Sequence, residues 1–110
     1  MKAGTHEVLN RLSETLAARR NADPATSYTA SLFAKGPDAI LKKIGEETVE
    51  LIMAAKEGKR LPVVHEATDV VYHIMVLMAF FDMSVDDILQ ELHRREGISG
   101  IDEKRARTTA

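Results

Sequence analysis

The sequence predicts an all-α protein, a bundle of four to five antiparallel helices, and three observations carry that prediction. Apolar residues recur at intervals of three and four in four successive segments, and no stretch shows the period-two alternation of a half-buried strand. Helix start and stop signals fall where those segments begin and end. One segment, Ile74 to Phe81, is apolar on every side and must therefore be buried on every side. A chain of 110 residues with 45% hydrophobic content fits one domain over 1–110, with little surplus for a core. Four short helices can hardly cover the segment Ile74 to Phe81, which predicts a homo-oligomer, most simply a homodimer.

Val8, Leu9, Leu12 and Leu16 make the first helical stripe, with Thr5 as its N-cap and its end near Arg20. From Asn21 to Gly36 the period fails. Asp23-Pro24 followed by Thr26, Ser27 and Thr29 reads as an irregular connection, with a short helical turn around Ser31 to Ala34. Loops this long in compact domains are often functional. Pro37 suits the first turn of the next helix and Asp38 its positive dipole end. Ile40, Leu41, Ile44, Leu51, Ile52 and Ala55 form the apolar face, and Gly58 closes the helix. Gly45 costs about 1 kcal/mol relative to Ala inside a helix, which predicts close approach of a helix or ligand. Pro62 opens a third helix that ends at Phe81, and Ser84 to Asp87 reads as a capping box for a fourth, which Gly97 ends. Residues 95–110 form a basic tail.

Composition excludes several functions. A net charge of -2 and few aromatic residues, with no Trp, argue against a nucleic-acid platform. Without cysteine there are no disulfides and no thiolate metal sites. Ahead of residue 20 no unbroken apolar segment suggests a signal peptide, and Ile74 to Phe81 is far short of the ~20 residues a membrane span needs. A soluble cytoplasmic protein is expected.

The densest charge lies in Lys43-Ile44-Gly45-Glu46-Glu47-Thr48-Val49-Glu50. On a helix Glu46, Glu47 and Glu50 share an arc of roughly 100° with Lys43, and like charges so spaced repel. Glu66, Asp69 and His73 share an arc of about 60° on the following helix. An antiparallel hairpin turning near residues 58 to 62 would set Glu47 and Glu50 opposite Glu66 and Asp69. Converging carboxylates repel or take up protons unless a cation joins them. An all-oxygen set favours a hard ion, Mg²⁺ first and Mn²⁺ next. His73 is a ligand, a proton carrier or a partner standing behind the ligands, whereas His65 and His93 show no comparable setting. A solvated acidic face is the bland alternative.

The pattern Glu46-Glu47-x-x-Glu50 followed by Glu66-x-x-Asp69 resembles the signature of the MazG-like all-α nucleoside triphosphate pyrophosphohydrolases, which bind Mg²⁺ between antiparallel helices. Ser27-Tyr28-Thr29, Lys43 to Glu47, Asp69 to His73, and Arg94-Arg95 through Ser99-Gly100 to Glu103-Lys104 resemble, more narrowly, the phosphoribosyl-ATP pyrophosphohydrolase family of histidine biosynthesis. Thr68 departs from the small apolar residue expected there. The resemblance implies hydrolysis of 1-(5-phosphoribosyl)-ATP to the AMP derivative and pyrophosphate. It implies Glu47, Glu50, Glu66 and Asp69 as metal ligands, Glu46 as the residue that orients or deprotonates water, and His73 behind them. Lys43, Arg95, Lys104, Ser27, Tyr28 and Thr29 are the expected substrate contacts. A house-cleaning hydrolase of ordinary or damaged nucleoside triphosphates is the alternative of the same fold. A non-catalytic dimerisation module is the third reading.

Overall fold

The computed structural model describes residues 5–98 and 100–109. The chain runs α1 (Thr5–Arg19), α2 (Tyr28–Lys35), α3 (Pro37–Glu57), α4 (Arg60–Phe80), α5 (Val85–Arg95) and α6 (Gly100–Thr109), with no strand among the described residues. The all-α expectation holds, with six helices where four to five were expected.

The two additional helices have local causes. Ser27 caps α2, its hydroxyl accepting from the Ala30 N–H at 3.1 Å, and Gly36 closes it at a φ of 94°. The period of α2 is hard to read in the sequence because two of its buried positions are Thr29 and Ala30, which carry little hydrophobic signal. Helix α6 falls in the expected tail, where Ala106 and a run of charged residues are good helix formers with no Gly or Pro to stop them. Its described side chains are all exposed, Ile101 by 67%.

The long α3–α4 hairpin organises the rest. Gly58, at a φ of 74°, donates its N–H to the carbonyls of Ala54 and Ala55, and one residue later α4 begins, with Pro62 in its first turn. Leu16, Leu32, Ile40, Met75, Val76, Ala79 and Val85 form the core, so α4 lies at its centre with α1, α2 and α3 around it. Ser84 completes the expected capping box of α5, accepting from Asp86 N–H while Asp87 accepts from its own N–H. Arg20 pairs with Asp82 and ties the end of α1 to the turn after α4. The expected cap at Thr5 involves a side chain outside those described.

Burial differs from expectation in one respect. Within a single protomer the segment Ile74 to Phe80 is already buried or half-buried, and only Phe81 at its end is exposed. Uncovered apolar side chains lie on α3, where Leu41, Val49 and Ile52 follow at helical spacing with Met53 beside them, and on α4, where Leu61, Val64 and Val71 do the same. Gly45 lies within the α3 stripe, and among the described residues nothing beyond its own helix backbone and chain neighbours comes within 4 Å of where its Cβ would stand. The close approach expected at Gly45 is therefore not made inside the chain. A Cα radius of gyration of 16.2 Å exceeds the ~13 Å of a compact chain this long.

Helix α4, at 21 residues, is long and apolar enough by composition to cross a membrane. That is not evidence of insertion, because its acids face α3 and its apolar half forms the core.

Candidate active site

The short turn at residues 58 and 59 fixes the register of α3 against α4, and so fixes which acids meet. Ligand atoms of Glu47, Glu50 and Glu66 lie within 4.8 Å of one another. Asp69 sits one turn beyond Glu66 and groups with Glu66 and His65 at the same spacing. Glu66 is thus common to both clusters. Three of the four expected ligands, Glu47, Glu50 and Glu66, converge, and the fourth, Asp69, joins them only through Glu66. His65 was missed: its Nε2 stands 3.4 Å from Asp69 Oδ2 and 3.9 Å from Glu66 Oε1. The available signal was its i,i+4 spacing to Asp69.

Two of these carboxylates carry an oxygen that is buried and has no hydrogen-bond partner, Oε2 of Glu47 and Oε2 of Glu66. An orphaned anionic oxygen inside a protein is costly unless something neutralises it. Lys43 does so in part, its ammonium 3.3 Å from Glu47 Oε1 and 3.9 Å from Glu46 Oε1. Burial raises Glu47, but hydrogen bonding with Glu50 and Lys43 outweighs it and holds the carboxyl below its usual range. Glu50 is pushed up, by its hydrogen bond with Glu47 and that anion's charge, then by Glu66. Of the pair, Glu50 is the member that holds a proton more readily. The set fits a hard divalent cation, being all oxygen, converged and under-neutralised.

Behind the acids, α2 is clipped to α4 by two side-chain hydrogen bonds. His73 Nδ1 lies 2.7 Å from the Asp69 carbonyl oxygen, which can only accept, so Nδ1 carries the proton. Nε2 of the neutral ring then accepts from the Tyr28 hydroxyl at 2.8 Å. Thr29 and Tyr72 pair their hydroxyls at 2.6 Å. His73 therefore touches the backbone of a ligand residue and not the carboxylate cluster.

The expected substrate contacts divide. Ser27 and Thr29 are buried, with their hydroxyls engaged in the cap and on Tyr72, whereas Tyr28 is 52% exposed. Tyr28, Lys43 and Glu46 line a groove of about 330 Å³ between α2 and α3, beside the acids. Arg95 lines a different groove with Met78, which stands about 13 Å along α4 from Asp69. Lys104 is exposed on α6. Among the described residues neither Arg95 nor Lys104 is paired with those carboxylates.

An all-α chain that converges unneutralised carboxylates between two antiparallel helices has the frame of a metal-assisted hydrolase. The comparisons with known proteins are more specific. Residues 9–96 match the phosphoribosyl-ATP pyrophosphohydrolase family, and the chain belongs to it. It is 68% identical over 105 residues to a phosphoribosyl-ATP pyrophosphatase of Dechloromonas aromatica, covering 96% of this chain and 97% of that one. Proteins of the same name from Aromatoleum aromaticum and Azoarcus sp. are each 57% identical, over 94% and 92% of this chain and 96% and 94% of theirs. The family name describes hydrolysis of a phosphoric anhydride.

Proposed function

We propose that this protein hydrolyses 1-(5-phosphoribosyl)-ATP to 1-(5-phosphoribosyl)-AMP and pyrophosphate in histidine biosynthesis, with Mg²⁺ as its cation and Mn²⁺ as a substitute. The observation that carries the metal is the pair of orphaned buried oxygens on Glu47 and Glu66, facing each other across the hairpin with Glu50 beside them. The names of relatives covering nearly the whole chain support the substrate.

Glu47, Glu50 and Glu66 would hold the cation, with Asp69 alongside. When bound, it neutralises phosphate charge and acidifies a water. Glu46, exposed and held near the ammonium of Lys43, takes the proton of the attacking water. Water adds to one phosphorus of the α,β anhydride, the bond to the bridging oxygen breaks, and pyrophosphate departs. Lys43 restrains Glu46 and Glu47 and faces the groove, where it can meet a substrate phosphate. Tyr28 borders the same groove, and Ser27 and Thr29 act on substrate by holding Tyr28 in place. His73 fixes α2 against the metal helix.

We take residues 1–110 as one domain acting in the cytoplasm as a homodimer on a small-molecule nucleotide. The uncovered stripe on α3, with Gly45 open to a close neighbour, supports a second copy there. In a dimer Arg95 and Lys104 are offered to the substrate phosphates at the site of the partner. The test is pyrophosphate release from phosphoribosyl-ATP with Mg²⁺ and with excess EDTA, beside a panel of dNTPs. Release only with Mg²⁺ and only from phosphoribosyl-ATP is expected. Full activity in EDTA overturns the metal, and faster turnover of dNTPs overturns the substrate.

A further inference from the structure

We propose that the groove between α2 and α3 is a subsite for the phosphomonoester on the second ribose, and that Lys35 and Lys42 recognise it. The inference rests on the phosphoribosyl-ATP reading above. Both lysines line the groove together with Leu32, Ala39 and the exposed ring of Tyr28, and Lys43 and Glu46 border it on the side of the acids. Among the described residues neither lysine is in an ion pair, although Asp38 and Glu46 stand one turn to either side of Lys42 on the same helix. Lys43, by contrast, is committed to Glu47 and Glu46. Two uncommitted ammonium groups therefore share one concavity immediately beside a cluster of carboxylates.

The chemistry of the substrate supplies what they lack. Its second ribose is attached at N1 of the adenine and the ribose triphosphate at N9, on opposite edges of the purine, so the molecule carries two anionic arms that diverge. The triphosphate arm requires the carboxylate cluster and its cation. The other arm ends in a phosphomonoester with close to two negative charges at neutral pH, and needs donors rather than a metal. Lys42 precedes Glu47 by about 7.5 Å and Glu50 by about 12 Å along α3, a separation suited to two arms of one nucleotide. A volume of about 330 Å³ is at the small end of ligand pockets, enough for one arm and not for the whole substrate. The lysines thus recognise the feature that distinguishes this substrate from ATP.

The experiment compares kcat/KM for phosphoribosyl-ATP and for 1-ribosyl-ATP, which lacks only the phosphomonoester. Both substrates are given with Mg²⁺ to wild type, to the Lys35→Ala/Lys42→Ala double variant and to Lys42→Arg. Wild type is expected to prefer the phosphorylated substrate by about tenfold to a hundredfold. The double variant should lose most of that preference, and Lys42→Arg should keep most of it. If both substrates slow by the same factor in the double variant, the lysines serve the triphosphate or the fold and the inference is wrong. A wild type that hydrolyses phosphoribosyl-ATP without preference removes the subsite alone. A wild type that releases no pyrophosphate from it removes the reaction as well.

Discussion

In the α3–α4 hairpin, charged side chains from two helices meet at one place, whereas in α5 Arg94 and Arg95 pair with Glu91 on their own helix. Glu47 and Glu66 are 19 positions apart in sequence and their carboxylates are neighbours in space. Glu91 instead collects Arg94 and Arg95 from three and four positions away, at 2.7 to 3.0 Å. The hairpin accumulates like charge at a core edge and leaves two oxygens unpartnered, while α5 neutralises itself at the surface. Unmet electrostatic demand marks the region built for a ligand, and locally balanced charge marks the region built for solvent.

The largest expected effect tests that contrast directly. Glu50→Gln should reduce pyrophosphate release by at least about a hundredfold while far-UV circular dichroism stays helical, because it removes a ligand from the cation. Arg95→Ala should act on KM, by about tenfold or less, because Arg95 must first leave Glu91 to meet a phosphate. Equal losses in kcat from the two variants would abolish the distinction between the regions.

A second test needs no substrate. At a hundredfold excess over its Kd, Mg²⁺ stabilises the folded state by about 2.7 kcal/mol, which for a chain of this size raises Tm by on the order of 10 °C. Glu50→Gln should lose most of that rise, and Glu91→Gln should keep it. No Mg²⁺-dependent shift in wild type would return the hairpin acids to an ordinary solvated face.

The contrast also explains what could be read from the sequence. The approach of Glu47 and Glu50 to Glu66 was legible because helical period, the Gly58 stop and the Pro62 start determine the register of one short hairpin. The position of Arg95 was not, because it depends on how α5 packs on α1 and α4, and no local pattern encodes that. Helix α2 was half hidden by Thr29 and Ala30, which are buried without being strongly apolar. His65 was hidden because a histidine four residues before an acid on an exposed helix face is an ordinary surface pair. Uncovered apolar surface was anticipated but assigned to Ile74–Phe81, since composition shows how much apolar surface exists and not which helices cover it.

Tyr28 sharpens the comparison on a smaller scale, since it links the groove to the metal helix through His73. Tyr28→Phe removes the donor to Nε2 and leaves a buried ring nitrogen unsatisfied, costing about 1 kcal/mol or somewhat more. Tm should fall by several degrees, and KM should rise with little change in kcat. A kcat loss as large as that of Glu50→Gln would place Tyr28 among the catalytic groups.

The smallest effect is one of sign, and the two regions should differ in it. Glu91 is held down to about 2 by hydrogen bonds from Arg94 and then Arg95, against an ordinary value of 4.5. An acid depressed in the folded state contributes stability above pH 4.5 and loses it as pH falls toward 2. Glu50 is raised, by Glu47 and then Glu66, so the folded state holds its proton longer. Its contribution is complete below pH 4.5 and disappears as pH rises through its folded value. In metal-free protein, Glu91→Gln should therefore flatten the loss of Tm between pH 4.5 and 2, and Glu50→Gln should flatten a loss that begins above pH 4.5. Both groups are exposed, so each change should amount to no more than a few degrees and should shrink in high salt. Mg²⁺ should remove the Glu50 slope and leave the Glu91 slope intact, because only the hairpin acids exchange a shared proton for a cation. The same slope for both variants would mean that the hairpin carboxylates do not interact, and the proposed metal site would lose its electrostatic basis.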